Sequence, residues 1–176
     1  RLDSLAEQLN DDLLYLSQVD HSIKEHIGII LSRYDAGDWS NYQTYHELQK
    51  YADSNKLINS IVYVTEQSDS LISTKLPVQY KDGTFYFQED STVLSFNPTP
   101  YYGASSGQLI YLCNEHLEHL IYFPPTQTTS DYVYFYVLNY SDIQQQLANM
   151  TSKELPAVAF VNKDKQIAIG VNDNLL

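Results

Sequence analysis

Little in this sequence can cross-link it, span a membrane or grip a phosphate backbone. There is one cysteine, Cys113, so no disulfide forms within the chain, which suits a reducing cytosol and a bacterial surface protein alike. Basic residues are few: 10 Lys and Arg stand against 22 Asp and Glu, for a formal net charge of -12. Nucleic-acid binding draws most of its affinity from Lys and Arg neutralising phosphates, and anionic membrane surfaces select the same residues. The charge balance therefore argues against both partners, and no nucleic acid is expected to bind this chain. No apolar run approaches the roughly 20 residues of a membrane span, and no signal peptide opens the chain. Beginning on Arg1 in what its pattern makes mid-helix, the sequence reads as a piece of a longer protein, so the absence of a span here leaves open a membrane attachment through flanking segments.

What is present in excess is tyrosine. The 176 residues hold 16, against one Trp and six Phe. Tyr joins a large apolar body to a hydrogen-bonding tip, which suits half-buried surfaces, pocket walls and interfaces. An apolar content of 43% is enough for a core, and the length fits one domain, or one domain with the start of another.

Residues 1–34 contain no Pro and a single Gly, Gly28. Leu2, Leu9, Leu16, Ile23 and Ile30 recur every seven residues, and Ala6, Leu13 and Ile27 fill a second track that Asp20 breaks. The period predicts a long amphipathic helix over 1–36, about 50 Å in length at about 1.5 Å per residue. Such a helix serves as a homodimer seam or lies across a sheet, and both can hold at once. Gly37 ends it. Ser40 then caps a second helix, with Gln43 completing a capping box, and Tyr42, Tyr45, Leu48 and Tyr51 form its expected buried stripe.

From there the period drops to 2. SIVYVTEQSDSLIST reads as a hairpin turning at 67–70, GTFYFQED as a short strand, QLIYLCN and HLEHLIYFPPT as two more, and 132–140 as the last. SFNPTPYYGASSG is a loop punctuated by Pro and Gly. Helices followed by antiparallel strands imply an α+β layer. In YVYFYVLNY, tyrosines occupy alternate positions at Tyr132, Tyr134, Tyr136 and Tyr140, with Val133, Phe135 and Val137 between them. The second set is expected in the core. The tyrosines wall the opposite face, which either borders a pocket or stands in solvent.

The run YVYFYVLNYSDIQQQLANM resembles the last strand of a Cache lobe passing into a short helix. LPAVAFVNKDKQIAIGVNDNLL resembles the opening hairpin of a second lobe, turning at 162–165, and LQKYADSNKLINSIVYVTEQSDSLIST is similar to the passage from a Cache helix into its first strand. The resemblance, to the extracytoplasmic double-Cache (PAS-like) sensors of bacterial transmembrane signalling proteins, spans nearly the whole chain as a pattern and rests on no single specific motif. It implies a spine helix over 1–36, a membrane-distal ligand-sensing lobe over 37–150, and the start of a truncated or reduced second lobe over 151–176. It also implies a small-molecule ligand and no cofactor. Amino-acid-binding members carry an Arg before an aromatic pair and an Asp on the last strand. Here NPTPYYG keeps the pair, Tyr101 and Tyr102, without the Arg, and Val137, Leu138 and Asn139 stand where the Asp would fall. An α-carboxylate wants a bidentate Arg and an ammonium wants a carboxylate. The expected ligand is accordingly neutral and polar, held by Tyr101, Tyr102, Tyr111, Tyr134, Tyr136 and Asn139.

Other motifs carry less. GASSG, 103–107, matches the hydrolase elbow G-x-S-x-G, which needs a strand before the Ser and a helix after it; here a Pro-rich loop precedes and a strand follows. Cys113, His116 and His119 would gather on one face of a helix as zinc ligands, but their flanks read as strands, where residues three apart face opposite ways. A hairpin turn over 114–117 is the expectation, with no metal site. Adjacent acids such as Asp11 with Asp12 or Glu89 with Asp90 diverge and stay solvated, so no facing carboxylate pair suggests glycosidase chemistry. The chain is expected not to be an enzyme. The leading reading is a ligand-sensing ectodomain outside the bacterial membrane whose N-terminal helix signals to a cytoplasmic output domain, an AraC-type transcription regulator being favoured over a histidine kinase. The alternative is a secreted carbohydrate-binding module, against which the heptad helix counts.

Overall fold

A computed structural model describes residues 29, 33, 40–65, 70–105, 107–125, 127, 132–150, 158–161 and 167–171. The expected helix over 1–36 lies outside the described residues except for Ile29 and Arg33, both helical. Helix α1 spans Asn41–Ser54 and begins as the capping pattern requires: the Ser40 hydroxyl accepts from the Gln43 N–H, and the Gln43 amide accepts from the Ser40 N–H. Two of the first unpaired N–H groups of the helix terminus are thereby satisfied. Its buried stripe runs through Thr44, Tyr45, Leu48, Tyr51 and Ala52. Tyr42, placed in that stripe by the sequence, is 71% exposed and meets His46 edge-on. It stands one position off the line that runs back from Ala52 through Leu48 and Tyr45 at helical spacing.

The strands are β1 (Ile58–Thr65), β2 (Ser70–Ser73), β3 (Val78–Lys81), β4 (Thr84–Glu89), β5 (Thr92–Phe96), β6 (Gln108–Cys113), β7 (Glu118–Phe123) and β8 (Tyr132–Leu138). Helix α2 (Tyr140–Met150) follows, then β9 (Val158–Val161) and β10 (Ile167–Val171). Five strands form an antiparallel sheet in the order β2-β1-β8-β7-β6. The first and last of these elements in sequence, β1 and β8, sit side by side at its centre. This order is compatible with a PAS-like fold, and the α+β class expected from the sequence is observed. β3, β4 and β5 form a separate three-stranded antiparallel sheet inserted between β2 and β6, and β9 pairs with β10.

Alternation along β8 sorts its side chains as the sequence required, but both faces of the central sheet are covered. Val133, Phe135 and Val137 pack with Val62, Val64, Ile121 and Phe123 against Phe85, Phe87 and Phe96 of the inserted sheet. Phe85 and Phe96 meet the Phe135 ring edge-on at centroid distances of 4.9 and 5.3 Å, a geometry that aromatic quadrupoles favour. On the other face, Tyr134 and Tyr136 join Ile61, Tyr63 and Leu120 beneath Leu48 and Ala52 of α1. Each fully buried side chain of this size contributes about 1.5–3 kcal/mol relative to exposure, so neither layer is dispensable.

The inserted sheet was only partly legible. GTFYFQED is strand β4, as read, while its partners β3 and β5 were not anticipated. The signal was Asp82-Gly83 between two alternating runs. Both residues have positive φ, 51° and 80°, the conformation of a two-residue hairpin turn whose twist matches its strands.

Two further contacts fix the sheet. Register pairs Ile121 with Val137 and Tyr122 with Tyr136, and continuing it sets Pro124 opposite Tyr134. Proline has no N–H to give the Tyr134 carbonyl. The Gln127 side chain takes its place: its amide donates to Tyr134 O at 2.7 Å and accepts from Tyr134 N at 2.9 Å. At Gly107, an added Cβ would overlap the hydroxyl end of the Tyr122 ring, so any larger residue there requires that ring, stacked on Tyr136, to shift.

Candidate functional site

A cavity of about 400 Å³ opens where the inserted sheet meets β7, lined by Leu76, Pro77, Phe87, Gln88, Glu89, Asp90 and His119. Each wall has a local cause. Leu76 is pinned in the β2–β3 connection, its N–H donating to Ser60 Oγ at 3.0 Å and its carbonyl accepting from Ser73 Oγ at 2.6 Å. Phe87 points inward on β4 by alternation with Gln88, and Asp90 begins the β4–β5 turn with φ 52°. His119 lies on the same side of β7 as Ile121 and Phe123, facing the inserted sheet, and its ring meets Phe87 at 5.0 Å.

Burial pushes the His119 imidazole below its ordinary pKa, against the opposing pull of the Glu89 and Glu118 carboxylates. Desolvation disfavours the charged form, so the ring is neutral at pH 7 and offers one donor and one acceptor nitrogen. Glu118 is drawn away to the other face, where its carboxylate accepts from the Tyr111 hydroxyl. That phenol is held above its usual pKa range, first by burial and then by this bond to a carboxylate.

The six tyrosine-face residues expected to hold a ligand do not share one surface. Tyr134 and Tyr136 are each 0% exposed, forming a continuous aromatic layer in which Tyr136 stacks on Tyr122 at 5.9 Å and meets Tyr134 edge-on. Tyr111 lies on that same side at the sheet edge, 38% exposed, with its ring 5.4 Å from Tyr140. Tyr101 and Tyr102 lie on the opposite face, where their rings rest against Phe123. Their loop is fastened by an Asn97 side chain accepting from the Thr99 N–H and by Gly103 N–H donating to Gln127 O at 2.7 Å. Asn139 is a structural tie: its side-chain amide donates to Lys56 O and its N–H to Leu57 O. This joins the start of α2 to the segment entering β1.

The turn over 114–117 is as expected, with Asn114 Oδ1 accepting from the N–H groups of His116 and Leu117. Cys113, His116 and His119 thus lie in a hairpin, and among the described residues no three His, Cys, Asp or Glu side chains are grouped to hold a metal. Ser105, the serine of GASSG, sits between a short 3₁₀ turn at Thr99–Tyr101 and strand β6, without the strand–serine–helix frame of a nucleophile elbow. Sequence reasoning met His119 only as a zinc candidate. Its place in HLIYF, two residues before Ile121 and four before Phe123, was the signal that it faces inward.

No protein-family model, curated protein or solved structure matches the chain.

Proposed function

We propose that this chain is the ligand-sensing part of a bacterial transmembrane regulator, placed outside the membrane, with the cavity at His119 as its small-molecule site. The observation that carries the reading is an antiparallel sheet of PAS-like strand order with a mixed polar and apolar cavity between it and its inserted sheet. Concave sites with an apolar wall and a few placed polar groups are where small ligands bind. The neutral polar ligand expected from the sequence rested on the missing Arg and Asp partners, with the tyrosines as its walls; Tyr134 and Tyr136 are buried, and we place the ligand in the cavity instead. Binding there would favour one position of the β4–β5 hairpin over others, and a ligand shifts such an equilibrium only by its difference in affinity for the two states. The helix read over 1–36 would carry the difference onward, with an AraC-type regulator as the favoured output.

The test is a thermal-shift screen of the chain against sugars, organic acids, amino acids and amines. A ligand at about 100 times its Kd adds about 2.7 kcal/mol of stability, enough to raise Tm visibly. A response abolished by His119→Trp, which pushes a larger ring into the cavity, supports the reading. A response that survives His119→Trp refutes the site, and no response to any compound refutes sensing by this chain.

A further inference from the structure

We infer that the cavity takes an organic cation: a primary ammonium or guanidinium group against the carboxylates of Glu89 and Asp90, its hydrocarbon stem lying on Leu76, Pro77 and the paired rings of His119 and Phe87. This rests on the cavity being the ligand site. Among its seven lining residues the only fixed charges are those two carboxylates, and no Lys or Arg lines it. Among the described residues no ion pair engages Glu89 or Asp90, and no Lys or Arg among them neutralises either carboxylate. The other polar residues of the lining are Gln88, which is neutral, and His119, which is kept uncharged by its burial and adds no opposing field at neutral pH. The remaining wall is apolar, which penalises an anion and suits methylene groups.

Carboxylates beside a low-dielectric wall attract a cation more strongly than fully solvated carboxylates do, and the net charge of -12 favours its approach. Charge-assisted hydrogen bonds from ammonium or guanidinium to carboxylate are about twice as strong as neutral ones. An alcohol of the same length therefore loses the main term, and an acid of the same length reverses its sign. Acidification works against the site because it protonates His119, setting an imidazolium beside the ligand's own cation.

The experiment is calorimetric titration of the whole chain with agmatine and n-butylamine, with 1-butanol and butyrate as matched neutral and anionic probes. The two amines are expected to bind at least about tenfold more tightly than butanol, and butyrate not at all. Glu89→Gln with Asp90→Asn should weaken agmatine about tenfold without altering the fold, since both residues are exposed and Asn tolerates the positive φ at position 90. In His119→Gln the affinity should lose its decline as pH falls below about 6.5. Butanol binding as tightly as the amines, or a Glu89→Gln/Asp90→Asn chain that binds agmatine unchanged, overturns the inference. A sugar whose binding is abolished by His119→Trp also overturns it, while leaving the sensor reading intact. Silence from every compound sinks both.

Discussion

Gln127 should be among the residues most costly to remove, although it is a glutamine in a loop. It is 5% exposed and holds both backbone polar groups of Tyr134, at 2.7 and 2.9 Å, where the register places proline. Gln127→Ala leaves a donor and an acceptor unpaired in the middle of a buried strand. Each such group costs about 1–3 kcal/mol. Water entering the vacated space recovers part of that, so the net loss is about 3 kcal/mol, against total stabilities of about 5–15 kcal/mol. In urea, with a slope of about 2 kcal/mol/M, the midpoint should fall by about 1.5 M at unchanged slope. Gln127→Glu separates hydrogen bonding from shape. The carboxylate can still accept from Tyr134 N–H, but it sets an oxygen against the Tyr134 carbonyl unless it is protonated. The folded state would raise its pKa, so this variant should be most stable below the unfolded value of about 4.3 and weaken as pH rises through the folded value. Gln145→Ala, on the exposed face of α2, is the control and should move stability by no more than about 0.5 kcal/mol. If Gln127→Ala unfolds within that same margin, the side chain is not the missing strand partner and the account of β8 is wrong.

Lowering pH through about 6.5 should destabilise the native chain, because His119 binds a proton more readily unfolded than folded and stability then rises with pH across that window; His119→Gln should flatten that part of the urea midpoint–pH curve. Gly107→Ala should cost about 1–3 kcal/mol by overpacking against Tyr122, and pairing it with Tyr122→Leu should recover part of the loss in a double-mutant cycle. Phe135→Ala should cost about 3–5 kcal/mol, since the ring is 0% exposed among Phe85, Phe87 and Phe96. Tyr42→Ala should be silent within about 0.5 kcal/mol, its ring being 71% exposed; a loss as large as that of Phe135→Ala would restore the sequence-derived stripe.

Local chemistry was legible. The Ser40 and Gln43 capping box, the Asn114 turn and the alternation along 132–138 depend on groups a few residues apart, and each formed as its residues dictate. So did the α+β class, because a change of hydrophobic period from 3.6 to 2 reflects backbone geometry directly. Partnership across the sheet was not legible. A strand with Tyr on one side and Val or Phe on the other has two usable faces, and nothing within it says what will cover each. The inserted β3–β4–β5 sheet covers the Phe135 face and α1 lies over the tyrosines, so Tyr134 and Tyr136 became core while Tyr101 and Tyr102 went to the other layer. Pro124 could be read as a strand stop, yet only the register of β7 on β8 shows which carbonyl it leaves unserved and why Gln127 is buried. The cavity joins residues 76–77, 87–90 and 119, segments whose proximity is a product of the fold. The sequence by itself determined the periods, caps and turns, because those energies act within a few residues. Tertiary structure alone decided which faces are buried and which charges share a pocket, because those depend on which distant segment arrives to exclude the water.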